Sequence, residues 1–326
     1  MRDATAEPSS PPRAPARRRA LLRRWVGFTL AAGLLAGAVW AAAAHGSALP
    51  DLWERLGAGD RRAWLSLPAL ALCVLASWHL TSWSFLAGTR PCARVGIGEM
   101  HALIGAAWLL NYLPLRPGLI GRVAYHKAVH GIAVHDSARI VLVQIAAGGA
   151  AAGVLALLLA ASRVLGTGAA GPVLATAGLA AGLIAASAWG RRRERRWWPI
   201  PLVLALKLGD MWLWTFRYGL LFTLVDVPIR AEGALAVAVV SQFASLIPLS
   251  GNGLGLREWA VGLCADSLPA GWASAAGGAM QAAGLSADLV NRAVEVAIAV
   301  PVGLASVAWL GRRGPARASA RAASPG

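Results

Sequence analysis

The chain has 326 residues, of which 57% are hydrophobic and only 14% are charged. This composition excludes an ordinary soluble domain, whose solvated surface needs more charge, and it predicts an all-α polytopic membrane protein. The formal net charge of +16 comes from Lys and Arg blocks beside apolar segments. That placement is typical of cytoplasmic loops facing anionic lipid and disfavours nucleic-acid binding. The three cysteines have no CxxC spacing, so neither a zinc site nor a disulfide framework is indicated.

The N-terminal segment 1–24 mixes Pro, Ser, Ala and Arg, and we expect it to be a disordered basic tail. The next segment, 25–44, is apolar and long enough to cross a bilayer core. A cleaved signal peptide is the alternative, because a basic region, an apolar region and the sequence AAAAHGSA follow one another. The many later apolar segments favour an uncleaved first helix.

Five more segments have the length and apolarity of full membrane spans, which makes about six in all. They are 64–87, 138–161, 169–189, 199–225 and 289–310. Tryptophans stand near many of their ends, as in the aromatic belts of membrane proteins. The predicted transmembrane domain is therefore 25–310, followed by a disordered basic tail at 311–326.

The positive charges indicate an orientation in the cell membrane with both termini cytoplasmic. Arg clusters precede residue 25, fill 191–196 and recur after residue 310, whereas the loop carrying Asp266 and Asp288 is acidic and is assigned to the outside. The crossing count then requires two shorter apolar segments, 97–113 and 234–260, to enter and leave on one face each. We predict two re-entrant segments from opposite faces. Broken backbone at membrane depth must be buried by protein or line a wet cavity, which favours a shared central cavity.

The two breaks have similar sequences, NYLPLRPGLIGRVA from Asn111 and SLIPLSGNGLGLRE from Ser245. Each contains Pro-Leu, then glycines, then an Arg. Three predicted crossings separate them, so the two copies would run in opposite directions, as in an inverted-topology repeat with its binding site at the breaks. A chance match is the alternative, because Pro, Leu and Gly are abundant in this chain.

Charged residues inside the predicted spans are costly and mark candidate sites. The spacing of Lys207, Asp210 and Arg217 places all three on one helix face. Two interpretations stay open for Lys207 and Asp210, a neutralised packing pair and a functional site. Arg217 is interpreted as snorkelling toward the outer headgroups. Farther along, Arg292 and Glu295 are three residues apart and are predicted to form an ion pair.

The adjacent Arg257 and Glu258 point about 100 degrees apart on a helix, so each needs its own partner. A helix that starts after Asn252, Gly253 and Gly255 would present free backbone N–H groups to an anion. The planar guanidinium of Arg257 can donate two parallel hydrogen bonds, which suits a phosphate. Glu258 is predicted to pair with a cationic headgroup or with another protein cation such as Arg122.

The first break carries Asn111, Arg122 and His126, with Arg122 and His126 on one helical face. We predict a second cationic wall there. An amphipathic interfacial helix whose cations touch inner-leaflet lipids is the alternative. The complete set of predicted substrate-binding residues is Asn111, Arg122, His126, Lys207, Asp210, Asn252, Gly253, Gly255, Arg257 and Glu258.

No catalytic motif of the GxSxG, HExxH or Walker A type occurs, and there is no clustered Asp motif. We therefore expect no catalytic residues, cofactor or metal. Two alternatives to a lipid-binding or lipid-translocating protein remain. One is a membrane-embedded transferase acting on a lipid phosphate with Glu258 as base, and the other is a scaffold for a lipid-synthesis partner protein; a homo-oligomer fits any of these.

At the two breaks the chain resembles the lysylphosphatidylglycerol synthase transmembrane family, also called the flippase-like domain family. The early motif is matched by Asn111, Pro114, Gly118 and Arg122, and the later, more specific motif by Pro248, Gly253, Gly255, Arg257 and Glu258. The similarity covers about 64–310. One departure is Leu119, where the family often has an acidic residue, so an acid-dependent role of the first copy is not expected.

The resemblance implies a protein that binds or flips membrane lipids, with an anionic phospholipid or lipid-linked phosphate as partner. In the fused synthases a soluble aminoacyl-transferring domain follows the membrane domain. Here the sequence given ends sixteen residues after Leu310. The expected function is therefore lipid handling without the synthase chemistry.

Overall fold

The computed structural model describes residues 36, 40, 48–112, 117–247, 253–269, 271–273 and 278–323. Within these residues the secondary structure is helical, apart from one isolated antiparallel bridge between Ile229 and Ala273. The all-α prediction is confirmed for this part of the chain. Most of the predicted first span, the motif residues Pro114 and Pro248, and the predicted site residue Asn252 lie outside the described residues.

Ten α-helices follow one another in the described residues. They are α1 Ala48–Gly57, α2 Arg61–Thr89, α3 Ile97–Leu110, α4 Pro117–Tyr125, α5 Val134–Leu165, α6 Ala170–Arg192, α7 Pro199–Leu224, α8 Ala231–Leu246, α9 Leu256–Asp266 and α10 Gly278–Ala323. A five-residue π-helical turn, His126–His130, continues directly from α4.

Four helices are long and apolar enough to cross a membrane, namely α2, α5, α6 and the part of α10 from Ala279 to Arg312. They coincide with the predicted spans 64–87, 138–161, 169–189 and 289–310. Large apolar side chains such as Leu142, Leu157, Leu174 and Ile184 are exposed on α5 and α6. An apolar outer surface of this kind is suited to contact with lipid chains.

The helix α7 is 26 residues long and covers the predicted span 199–225, but it is not among these four helices, so its crossing of a membrane stays a prediction. The last helix differs from its prediction at both ends, since it begins at Gly278 and continues to Ala323. It thus enters the segment 311–326, for which we expected disorder. Asp288 belongs to this helix and is fully buried, so its assignment to an outside loop is wrong.

Each predicted broken segment consists of two short helices joined at the break. In the first, Gly118 of α4 packs against α3 so closely that a Cβ at this position would overlap the backbone of Ala107. In the second, Gly253 and Gly255 have φ values of +73° and +81°, which favour glycine, and α9 begins at the next residue. Both segments are therefore helical hairpins; their depth in a membrane stays a prediction.

The last helix packs against both hairpins through residues without side chains. A Cβ on Gly284 would lie 2.9 Å from Gly262 Cα in α9, and a Cβ on Gly303 would overlap Leu109 in α3. Small residues at such crossings let helix backbones approach closely, as in membrane bundles. The close packing brings the polar face of α10 against α7 and α9.

Candidate functional site

A central cavity of about 340 Å³ lies between the first hairpin and the helices α2, α5, α7, α8 and α10. Four predicted site residues line it, Asn111, Arg122, Lys207 and Asp210. Its volume is at the lower end of the range for small-molecule sites. The structure thus brings residues of the first break together with the charged residues of α7, and we call this space the central cavity.

Arg122 is a buried cation without an acidic partner. It is 7% exposed, and its guanidinium lies 3.8 Å from the centre of the Phe85 ring. None of the ion pairs among the described residues includes it. An aromatic face compensates a buried cation only in part, so the site favours an additional negative group.

The predicted common face of Lys207, Asp210 and Arg217 is confirmed, because all three side chains line the central cavity. The Asp210 carboxylate is buried, and the Ser77 hydroxyl of α2 lies within reach of it. Lys207 lies one turn before Asp210 on the same helix, so the two formal charges sum to zero, although no ion pair between them is found among the described residues.

Arg217 does not snorkel to a headgroup, since it is 1% exposed. Its Nη2 donates to Glu295 Oε1 at 2.8 Å and also to Asn291 Oδ1. The guanidinium carbon lies 4.2 Å from the centre of the Trp214 ring. The snorkelling interpretation is wrong because the last helix supplies a carboxylate and an amide where the sequence of α7 alone offered no near counter-ion.

Arg257 and Glu258 each have a separate partner, as predicted, and both partners come from α10. Arg257 Nε donates to Asp288 Oδ2 at 2.9 Å and its Nη1 to Glu295 Oε2 at 3.2 Å. Glu258 Oε1 accepts from Arg292 Nε at 3.0 Å. The predicted pairing of Glu258 with a protein cation is therefore confirmed, but the cation is Arg292 and not Arg122, which was named as the example.

These side chains form what we call the ion-pair network. Its members are Arg217, Glu258, Arg257, Asp288, Arg292 and Glu295. The predicted pair between Arg292 and Glu295 is confirmed at 3.7 Å. Three arginines and three carboxylates cancel in formal charge. The network and the central cavity share Arg217 and Glu295, so the cavity is walled on one side by charges that are already paired.

The network changes how the second break is interpreted. Arg257 is 2% exposed and holds two carboxylates, so its engaged nitrogens are not free to bind phosphate. Glu258 is fully buried and paired with Arg292, and it does not line the central cavity. It therefore has no contact with a ligand in that cavity for which it could act as a base. Gly253 and Gly255 form the turn that starts α9, and Asn252 lies outside the described residues.

His126 is 2% exposed and lies in the π-helical turn after α4. Its Nδ1 is 3.4 Å from the Ser137 hydroxyl, and it does not line the central cavity. The expected cationic wall therefore consists of Arg122 without His126. No group of three or more His, Cys, Asp or Glu side chains that could hold a metal ion is found in the described residues.

Sequence reasoning missed the polar face of the last helix. This face begins at Asp288 and continues three, four and seven residues later. The residues at these positions are Asn291, Arg292 and Glu295, and the spacing places all four on one helix face. That periodicity was the available signal. The assignment of Asp288 to an outside loop hid this helical spacing.

Several unpaired polar atoms are buried in the walls of the central cavity. Among the described residues, eleven buried side-chain N or O atoms lack a hydrogen-bond partner, and six of them belong to residues lining this cavity. The six are Ser77 Oγ, Trp78 Nε1, Asn111 Oδ1, Gln144 Nε2, Asp210 Oδ1 and Arg217 Nε. Each unpaired buried group costs about 1–3 kcal/mol. These six atoms have almost no accessible surface, so they lie behind the cavity wall.

Two apolar cavities adjoin the central cavity on either side of α4. One, of about 500 Å³, shares Ala107 and Arg122 with it. The other, of about 590 Å³, shares Leu119 and Val141. A cavity lined partly by charged side chains, with two apolar cavities that share lining residues with it, has the chemistry of an amphiphile's binding site.

Comparison of the chain with protein-family models, with curated proteins and with solved structures finds no match.

Proposed function

We propose that the chain is a membrane protein that binds the anionic headgroup of a membrane lipid in its central cavity. The observation that carries the proposal is Arg122, a buried cation that faces the cavity without an acidic partner among the described residues. The other charges around the cavity cancel, since the ion-pair network is neutral and Lys207 balances Asp210. The cavity therefore has one formal positive charge left for a ligand.

The apolar cavities favour a lipid over a small soluble anion. They share lining residues with the central cavity, Ala107 and Arg122 on one side and Leu119 and Val141 on the other. A lipid would place its headgroup at Arg122 and its chains along α4. The resemblance to the flippase-like domain family supports the same class of ligand, and it implies translocation between leaflets as the activity of such a site.

The test compares Arg122→Gln with Arg90→Gln, a matched loss of one charge at an exposed residue. Purified full-length protein in detergent is titrated with phosphatidylglycerol, and binding is followed by native mass spectrometry. Losing the charged hydrogen bonds, worth about 1.5–3 kcal/mol, should weaken binding by about 10- to 100-fold in Arg122→Gln. Arg90→Gln should bind like the wild type.

Arg122→Lys keeps the charge and should recover part of the affinity. The same variants reconstituted in liposomes with labelled phosphatidylglycerol test translocation, which Arg122→Gln should reduce. Equal binding by the wild type, Arg122→Gln and Arg90→Gln would overturn the proposal.

A further inference from the structure

A second cavity, of about 390 Å³, lies where α2 ends and where α5 and α7 begin. Among the described residues, none lines both this cavity and the central cavity. We call it the basic cavity, and its charged lining residues are Asp136, Arg139 and Arg196. The predicted orientation places it at the cytoplasmic side of the membrane, because Arg196 belongs to the arginine cluster 191–196.

The two arginines of the basic cavity are free of acidic partners. Among the residues that the structure describes, no ion pair includes Arg139 or Arg196. Asp136 pairs instead with His135, whose Nε2 lies 3.0 Å from Asp136 Oδ1. Two arginines against one aspartate leave the lining with a formal surplus of positive charge, and both guanidinium groups have N–H donors to offer.

The charged groups of the basic cavity surround one thiol. Cys92 follows α2, is exposed and lines the cavity. Partial burial raises the pKa of this thiol and Asp136 raises it further, whereas Arg139 and Arg196 lower it. Arg139 belongs to α5 and Arg196 precedes α7, so two separate segments bring their cations to the same place.

These groups suit a phosphate. A guanidinium donates parallel hydrogen bonds to phosphate oxygens, and two arginines from separate segments can bind different oxygens of one phosphate. The helix α5 begins at the cavity with Ala133 as its N-cap, and no side chain in the described part of the chain caps it. The positive end of this helix therefore adds to the attraction for an anion.

The basic cavity is also deep enough to hold more than a hydrated ion. Its apolar lining includes Ile140 and Val203, which are buried, whereas Arg139 and Arg196 are exposed. The charges thus form the rim of the cavity and the apolar side chains form its base. Basic pockets of this kind between membrane helices are suited to phosphate headgroups.

We propose that the basic cavity is a second binding site, which takes a phosphate group held between Arg139 and Arg196. The phosphate comes either from a soluble anion or from a lipid headgroup of the adjoining leaflet. This inference goes beyond the proposed function and does not depend on it, since the two cavities have different lining residues among those described.

The test uses Cys92 as a reporter in full-length protein that carries Cys73→Ala and Cys264→Ala, so that one of the three cysteines remains. The protein is placed in phosphatidylcholine nanodiscs, and alkylation by N-ethylmaleimide is followed by intact-mass spectrometry at constant pH and ionic strength. Inorganic pyrophosphate should slow alkylation about 5-fold, because it covers the thiol and offsets the arginines that favour the thiolate. Sodium acetate should have no such effect.

Arg139→Gln and Arg196→Gln should each raise the pyrophosphate concentration for half protection by about 10-fold, since each removes charged hydrogen bonds. The control is Arg195→Gln, which removes the same charge from an exposed neighbour that is not among the lining residues. It should leave protection unchanged. Each variant is compared with itself without pyrophosphate, because the arginines also act on the thiol directly.

A second nanodisc composition distinguishes the two sources of phosphate. Protection by pyrophosphate in phosphatidylcholine alone assigns a soluble anion. Protection that appears only when phosphatidylglycerol is added to the nanodiscs, and that depends on Arg139 and Arg196, assigns a lipid headgroup.

The proposal is overturned by three results, namely no protection in either arm, equal protection by acetate, or equal weakening in Arg195→Gln. Arg122→Gln separates it from the proposed function. Protection of Cys92 should persist in this variant whether or not lipid binding in the central cavity is lost, and its disappearance would show that the basic cavity is not a separate site.

Discussion

Glu258 and Arg292 offer the most direct test of the ion-pair network, because each can be neutralised alone or together. Their charged atoms are 2.9 Å apart, and Glu258 is fully buried. At an effective dielectric constant of about 20, this distance corresponds to an attraction of about 6 kcal/mol before desolvation is subtracted. Removing one partner of a buried pair costs about 3–5 kcal/mol, since the other charge is left uncompensated.

Glu258→Gln and Arg292→Gln should therefore each destabilise the protein strongly. In the double variant the remaining network consists of two arginines and two carboxylates, so its formal charge is again zero. They are Arg217, Arg257, Asp288 and Glu295. Its loss of stability should fall short of the sum of the single losses by about 2–3 kcal/mol.

The assay is the thermal midpoint of detergent-solubilised protein, followed by fluorescence-detected size-exclusion chromatography. Each single variant should lower the midpoint by on the order of 10 °C. Arg90→Gln, at an exposed position, is the control and should change it little. Additive losses in the double variant would refute the reasoning, because they would mean that the two charges are not coupled in the folded protein.

Two further predictions concern parts of the fold outside the network. Gly118→Ala should destabilise the first hairpin by about 1–3 kcal/mol, since its Cβ would lie 2.6 Å from Ala107 Cα. Gly121→Ala, with open space around it, should be tolerated. Equal thermal midpoints for the two variants would contradict this. A hydrogen bond from Arg55 holds the pKa of Asp60, before α2, below its ordinary value. The stabilising effect of Asp60 relative to Asp60→Asn should therefore be constant from about pH 7 to 5 and disappear on acidification through that lowered pKa, and a difference that grows on acidification would be inconsistent with it.

The helices and the two breaks were predictable because their signals are local. Long apolar runs indicate spans, and Pro and Gly mark the ends of α3 and α8 and the start of α9. The common face of Lys207, Asp210 and Arg217 also followed from helical spacing alone, and the cavity that they line agrees with it.

The partners of the buried charges were not predictable in the same way. Helical spacing tells which residues share a face, but not which helices pack together. The spacing alone therefore leaves the partner of Glu258 open, with Arg122 as one example. The close approach of Gly262 and Gly284 packs α9 against α10, so Glu258 pairs with Arg292. The resemblance to a lipid-handling family, which motivated the site, stays a prediction.

The division of the ion-pair network among three helices has a consequence for how the protein is made. The arginines at 217 and 257 precede Asp288 and Glu295 in the chain, so both leave the ribosome before their carboxylates exist. An arginine that lacks its counter-ion is costly to place inside lipid. We infer that α7 and α9 stay beside the insertion machinery until α10 has been synthesised, and that the release of the bundle into the bilayer awaits its last helix.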